Sequence, residues 1–215
     1  MAPKTPPQNT VTDSVFRLSR TQSPENTKTL VESREVKTVN GKPATSEDVD
    51  GPTVLSGLFE GALAVVSLDQ AACTNYTLQK INSKRPGDSY SIHFATVLTP
   101  KNADACFLQE ESSGRAVIDS ATMQLKHLEI TTPHHIITDG DSSTLRLVGK
   151  RKLTIEYAPV LLGGESFWMP SLITMLNTGG SGFHTTSWSF RATYRNYHRR
   201  EVTSRLLPAD AAPKP

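Results

Sequence analysis

The sequence predicts a mainly β protein of the α+β class, an antiparallel meander of about eight strands with one helix lying on the sheet. Three observations support this class. Runs of β-branched and aromatic residues alternate with polar residues at period two. Clusters of Gly, Pro, Asn, Asp and Ser separate these runs. One segment breaks the pattern and carries apolar residues at helical spacing instead.

The composition fits one domain with loosely ordered ends. The chain has 215 residues, is 36% hydrophobic and carries 23 Lys+Arg against 21 Asp+Glu. We predict a flexible N-terminal arm or strand fragment at 1–26, a single domain at 27–208 and a disordered tail at 209–215. The formal net charge of +2 gives no electrostatic reason for a nucleic-acid partner. No apolar run reaches the roughly 18 residues of a membrane-spanning helix.

The strand predictions rest on turn chemistry and alternation. Asn40 and Gly41 predict a tight hairpin within residues 29–48, because both central residues of a type I′ turn need positive φ. In the clearest strand, 187–197, alternation puts Trp188, Phe190 and Tyr194 on one face. Further strands are predicted at 73–81, 90–98, 105–110, 115–130, 143–157 and 183–207, and turns at 85–88, 112–114, 138–142 and 177–182.

The helix is predicted over residues 52–66. Pro52 suits a first helical turn, where its missing N–H has no partner to lose. A helix of this length is unstable alone and must lie on the sheet. Its apolar positions are Val54, Leu55, Leu58, Phe59, Ala62, Leu63, Val65 and Val66.

The two cysteines, Cys73 and Cys106, bear on the compartment. Neither has metal-ligand neighbours at zinc-site spacing. A disulfide between them is expected in an oxidising compartment, and two buried free thiols in the cytoplasm. The chain starts without a secretory signal. We expect an extracytoplasmic protein of the periplasm or cell envelope whose signal peptide is absent from this chain, with a cytoplasmic protein as the alternative.

The sequence contains no catalytic motif, so we predict no enzyme activity, no cofactor and no metal. It lacks GxSxG, GxxxxGK[ST] and GxGxxG. His134 and His135 lie near Asp139 and Asp141, but adjacent residues of a strand point to opposite faces. Asp119 has no nucleophile in a suitable context.

The last strand interleaves aromatic and basic residues, as single-stranded nucleic-acid platforms do. Alternation puts the two kinds of residue on opposite faces, so they cannot form one stacking surface. We predict instead a basic outer face of Arg191, Arg195 and Arg199. Such a face suits an anionic membrane surface or a partner protein.

Short segments resemble the LolA/LolB-type outer-membrane lipoprotein carrier superfamily. They are Gly114–Asp119, Met123–Glu129, Leu153–Tyr157 with Gly163–Pro170, and Ala192–Tyr197. The resemblance covers roughly residues 110–208. It implies a strongly curved antiparallel half-barrel, helices across the concave face, and an apolar cavity that holds acyl chains.

The function hypothesis follows from this cavity. We expect a non-enzymatic envelope protein that binds a lipid, an acyl chain or a lipidated partner. The alternative is a structural or protein-interaction module with a filled core and no ligand. The oligomeric state is left open. The residues expected to line the cavity are Leu58, Phe59, Leu63, Phe167, Trp168, Met169, Trp188, Phe190 and Tyr194.

Overall fold

The structure is a computed structural model that describes residues 9–22, 28–45, 58–79, 89–138, 146–181 and 184–199. Two antiparallel sheets make up most of this part of the chain, which confirms the mainly β class. The first sheet contains β1 (Thr12–Gln22), β2 (Lys28–Val39) and β3 (Lys42–Pro43). The second contains β4 (Thr74–Gln79), β5 (Ser89–Thr96), β6 (Ser113–Asp119), β7 (Leu125–Thr138), β8 (Arg146–Leu162), β9 (Glu165–Ser181) and β10 (His184–Thr193).

The helical elements are short. One α-helix, α1 (Leu58–Val65), and two 3-10 helices at Leu68–Gln70 and Ala103–Ala105 occur within the described ranges. The end of α1 agrees with the predicted helix at 52–66. The predicted start lies in residues 51–57, outside the described residues.

The seven-stranded sheet is a meander in which each strand pairs with its neighbours in the sequence. Directly paired residues share a face of the sheet, so the register defines rows of side chains that cross it. The first row is Leu78, Ile92, Ala116, Leu128, Ile155, Ile173 and Ala192. The second is Tyr76, Phe94, Gly114, Ile130, Leu153, Met175 and Phe190. We call these two rows the apolar rows.

The apolar rows build the core where other elements cover them. Leu128 and Ile155, on the central strands, are fully buried. Ala62 and Val65 of α1 belong to the same buried cluster. The side chains of α1 therefore contribute to the same buried cluster as the apolar rows, and a short helix depends on such packing for its stability.

A glycine allows close packing within the second row. A Cβ added to Gly114 would overlap the ring of Phe94 and the carbonyl oxygen of Glu129. Phe94 pairs with Gly114 across β5 and β6. The phenyl ring therefore fills the space that a side chain at position 114 would occupy. This packing compensates for the side-chain contacts that a glycine in a strand cannot make.

The three-stranded sheet contains the predicted hairpin. Asn40 (φ 49°) and Gly41 (φ 78°) form its turn, which confirms the Asn-Gly prediction. Strand β1 pairs with β2 from Thr12 to Gln22, so this part of the predicted arm is a strand. The outer bounds of the arm, the domain and the tail remain predictions.

The two sheets meet at β10. Arg34 of β2 donates a 2.8 Å hydrogen bond to the Tyr194 hydroxyl, and its guanidinium lies 5.8 Å from the centre of the Phe190 ring. The rings of Phe16 and Tyr194 make an edge-to-face contact at 5.6 Å. These contacts attach the small sheet to the large one at Phe190 and Tyr194.

Several strand predictions are wrong. Residues 105–110 contain the end of a 3-10 helix and no strand. The predicted strand 115–130 is two strands, β6 and β7. The turn between them is stabilised by Asp119, whose carboxylate accepts hydrogen bonds from the backbone N–H groups of Ala121 and Thr122. The hydrogen bonds to the backbone and side chain of Thr122 hold the pKa of Asp119 below its usual value.

The predicted turn at 177–182 is also wrong, because β9 continues to Ser181. Gly179 pairs with Gly149 of β8. A Cβ on Gly149 would overlap the backbone of Thr178 and Gly179, so the two strands approach closely here. Glycines that resemble a turn in the sequence therefore serve strand packing.

Strands β8 and β9 form a long hairpin whose end lies beyond the pairing of β8 with β7. Strand β7 pairs with β8 only as far as Glu156, so residues 157–170 are not paired with β7. We call residues 157–170 the hairpin arm. Its turn is formed by Gly163 (φ 62°) and Gly164 (φ 87°).

A β-bulge marks the base of the hairpin arm. Glu156 pairs with Leu172 and Tyr157 with Pro170, so Ser171 is the extra residue. The carbonyl oxygen of Ser171 accepts a hydrogen bond from the Tyr194 N–H at 2.9 Å. Strand β10 ends at Thr193, so the predicted strand 187–197 stops short at this bulge.

Candidate functional site

Residues predicted to line a cavity lie in different environments. Trp168, Phe190 and Tyr194 pack against the buried core cluster. Trp188 and Met169 are half-buried, while Leu63 and Phe167 are exposed. Leu58 and Phe59 belong to α1, but their side chains lie outside the described part of the structure. The proposed role of all nine in lining a cavity stays a prediction.

The side chains of the apolar rows become more exposed from the middle of the sheet to its β4 edge. Leu128 and Ile155 are fully buried, whereas Leu78 of β4, in the same row, is 59% exposed. Tyr90 of β5, two residues before Ile92 and on the same face, is 41% exposed. We call Tyr76, Leu78, Tyr90 and Ile92 the open end of the rows. It is an apolar surface continuous with the core.

The α-helix ends beside the open end. Tyr76 of β4 donates a 2.8 Å hydrogen bond to the carbonyl oxygen of Val65, the last residue of α1. The last carbonyls of a helix have no partner within the helix, so this bond satisfies one of them. The open end is therefore bounded on one side by the C-terminus of the helix.

A disulfide holds the other end of β4. Cys73 and Cys106 are bonded, which confirms the predicted pairing, and both are buried. Asn102 donates hydrogen bonds to the carbonyl oxygens of Ala72 (3.0 Å) and Val97 (2.9 Å). The start of the edge strand is thus fixed to the segment between β5 and β6.

The opposite face of the sheet is polar. Lys152 of β8 forms a 3.0 Å ion pair with Glu129 of β7. Two depressions of ≈ 390 and ≈ 420 Å³ are lined mostly by residues of this face, including the apolar Leu176. Their polar lining includes Arg115, Glu129, Lys152, Thr154, Thr174 and Arg191.

The three arginines of the predicted basic face do not share one strand. Arg191 lies on β10 and is exposed, as alternation predicts. Arg195 and Arg199 are exposed in the segment that follows β10. The guanidinium of Arg199 reaches the turn of the hairpin arm, 3.4 Å from the Cβ position that Gly163 lacks.

Two histidines each lie beside a glutamate. His127 Nδ1 lies 2.9 Å from Glu156 Oε1, and His135 Nδ1 lies 2.8 Å from Glu110 Oε2. Glu110 also forms an ion pair with Arg151, at 3.3 Å. His134 is exposed. Within the described ranges, no group of three or more His, Cys, Asp or Glu side chains could hold a metal ion.

Comparisons with protein-family models, with curated proteins and with solved structures find no match for the chain. No helix in the described part of the chain has the length and hydrophobicity needed to cross a bilayer. The resemblance of residues 110–208 to lipoprotein carriers stays a prediction.

Sequence reasoning missed the open end. The pattern of Tyr76 and Leu78 in one strand, and of Tyr90 and Ile92 in the next, is visible in the sequence. It shows that each pair shares a face. It does not show that β4 is an edge strand of the described sheet, and this position is what leaves Leu78 exposed.

Proposed function

We propose that the protein binds an acyl chain or another long apolar molecule at the open end of the apolar rows, without catalysing a reaction. The observation that carries this proposal is the continuous passage from buried to exposed apolar side chains along one row, from Leu128 to Leu78. Large apolar side chains exposed together on a monomer often mark a binding surface.

We further propose that the open end is a groove. A strongly curved half-barrel, with α1 across its concave face, would turn the open end into a groove between sheet and helix. The hydrogen bond from Tyr76 to Val65 supports this, because it brings the end of the helix to the edge strand. Burying an alkyl chain there would contribute about 25 cal/mol per Å² of apolar surface.

The tyrosines of the open end suit an amphipathic ligand. Tyr76 and Tyr90 each present an apolar ring with a polar hydroxyl, and such side chains are common where an apolar site meets water. The disulfide supports a location outside the cytoplasm, since such bonds persist in oxidising compartments. We therefore propose that the protein acts outside the cytoplasm, in the periplasm or cell envelope.

A fluorescent fatty-acid probe tests the proposal on the full chain. The unaltered protein should bind the probe, and Leu78→Asp should weaken binding about tenfold, because a charge in the open end opposes burial of an apolar chain. Leu176→Asp is the matched control, since Leu176 is exposed on β9 and faces away from the apolar rows. Binding that is absent from the unaltered protein, or equal in all three proteins, would refute the proposal.

A further inference from the structure

The hairpin arm exposes apolar side chains at its tip. Residues 158–164 (APVLLGG) carry no charge. Leu161 is 72% exposed and Phe167 is 38% exposed. Val160 pairs with Phe167, and Leu161 pairs with Ser166. Because neighbouring residues of a strand point to opposite faces, Leu161 and Phe167 expose apolar surface on opposite faces of the tip.

The arm is held in this position by polar contacts along its outer edge. Gln124, in the turn between β6 and β7, accepts a 2.7 Å hydrogen bond from the Trp168 N–H and donates one of 3.3 Å to the Ser166 carbonyl. Tyr197 donates a 2.6 Å hydrogen bond to the Pro170 carbonyl. These bonds pair the backbone of the arm while leaving Leu161 exposed.

Two cationic side chains lie near the hairpin arm. Arg199, an exposed residue, lies against the turn at Gly163. The Lys126 ammonium lies 4.9 Å from the centre of the Trp168 ring and 3.5 Å from Asp119 Oδ2. Within residues 157–170, Glu165 is the single acidic residue. Apolar side chains beside cations match the interface of an anionic bilayer, where acyl chains lie beneath phosphate groups.

We infer that the tip of the hairpin arm docks on an anionic lipid bilayer. Leu161 and Phe167 enter the interfacial region, and Arg199 contacts lipid phosphates. Leucine and aromatic side chains beside cations are the combination by which peripheral segments bind this interface. This inference does not depend on ligand binding at the open end, which is formed by β4 and β5 rather than by the arm.

The test is co-sedimentation of the full chain with vesicles of phosphatidylcholine alone and with about 30% phosphatidylglycerol. The unaltered protein should bind the anionic vesicles more tightly, and added salt should weaken the binding. Leu161→Asp and Phe167→Ser should each weaken it about tenfold. Leu176→Asp is the matched apolar control and should change it less than about twofold.

The charge contribution has its own pair of variants. Arg199→Glu should weaken binding to the anionic vesicles about fivefold or more. Arg191→Glu is the control, because it alters an exposed arginine on the polar face of the sheet, and it should have a smaller effect. The inference is overturned if the vesicles bind no protein, or if the tip variants bind as well as the unaltered chain. It is also overturned if the tip instead joins two copies, so that Leu161→Asp converts a dimer to a monomer while vesicle binding is unchanged.

Discussion

Tyr76 of β4 and Val65 of α1 are joined by a 2.8 Å hydrogen bond from the tyrosine hydroxyl to the carbonyl oxygen. The bond connects the edge strand to the end of the helix, beside the open end of the apolar rows. The position of the helix at the proposed binding surface therefore depends on one side chain of the sheet.

Tyr76→Phe should remove this bond while keeping the aromatic ring. We expect a loss of about 1 kcal/mol in the free energy of unfolding, because a helix-terminal carbonyl loses its partner. Tyr90→Phe is the control on the neighbouring strand and should change stability by less than about 0.5 kcal/mol. Urea denaturation measures both. Equal effects of the two substitutions would contradict the structural role of the Tyr76 hydroxyl.

Gly114→Ala should destabilise the protein by about 2 kcal/mol or more, because the added methyl group would overlap the Phe94 ring and the backbone of β7. The control is Gly41→Asn. Apart from its chain neighbours, no atom of the described residues lies within 4 Å of a Cβ built on Gly41, and asparagine tolerates positive φ, so the cost should stay below about 1 kcal/mol. Thermal unfolding of both variants is the measurement. A neutral Gly114→Ala would show that Phe94 does not pack over this position.

Tyr157 and Tyr197 should respond in opposite directions to loss of the hydroxyl. The Tyr157 hydroxyl is buried without a hydrogen-bond partner among the described residues, and burial raises its pKa. Tyr157→Phe should therefore stabilise the protein by about 1 kcal/mol.

Tyr197→Phe is the counterpart, since its hydroxyl donates a hydrogen bond to the Pro170 carbonyl. It should destabilise the protein by about 1 kcal/mol. Denaturant midpoints compare the two variants. The account of Tyr157 would be wrong if Tyr157→Phe lost as much stability as Tyr197→Phe.

The Cys73–Cys106 disulfide closes a loop with a sequence separation of 33 residues. Chain entropy predicts that Cys73→Ser with Cys106→Ser lowers the free energy of unfolding by about 3–4 kcal/mol. Dithiothreitol should destabilise the unaltered protein and leave the double variant unchanged. Insensitivity of the unaltered protein to the reductant, with two free thiols by titration, would contradict the disulfide.

Features set by neighbouring residues were predictable from the sequence. Asn40 and Gly41 determine their own turn because its positive φ angles suit these two residue types. The alternation around Phe190 also agrees with the structure: from Ser187 to Arg195, half-buried and exposed residues alternate without exception. The face that each side chain occupies is a property of the strand itself.

Features set by distant residues were not predictable. Gly179 resembles a turn residue, and only its pairing with Gly149 of β8 makes it part of a strand. Trp168 and Phe190 pack against the core cluster, and the residues that form this cluster come from distant parts of the chain. Leu78 is part of the candidate site because β4 lies at the edge of the sheet, and residue type alone does not determine strand order.

Native mass spectrometry of the full chain, purified under gentle conditions, tests the central claim most directly. We predict a bound lipid or fatty acid that adds a discrete mass to the unaltered protein and to Leu176→Asp, and that is lost from Leu78→Asp. A folded, unaltered protein that shows only the mass of the bare chain, even after incubation with excess fatty acid, would contradict binding at the open end.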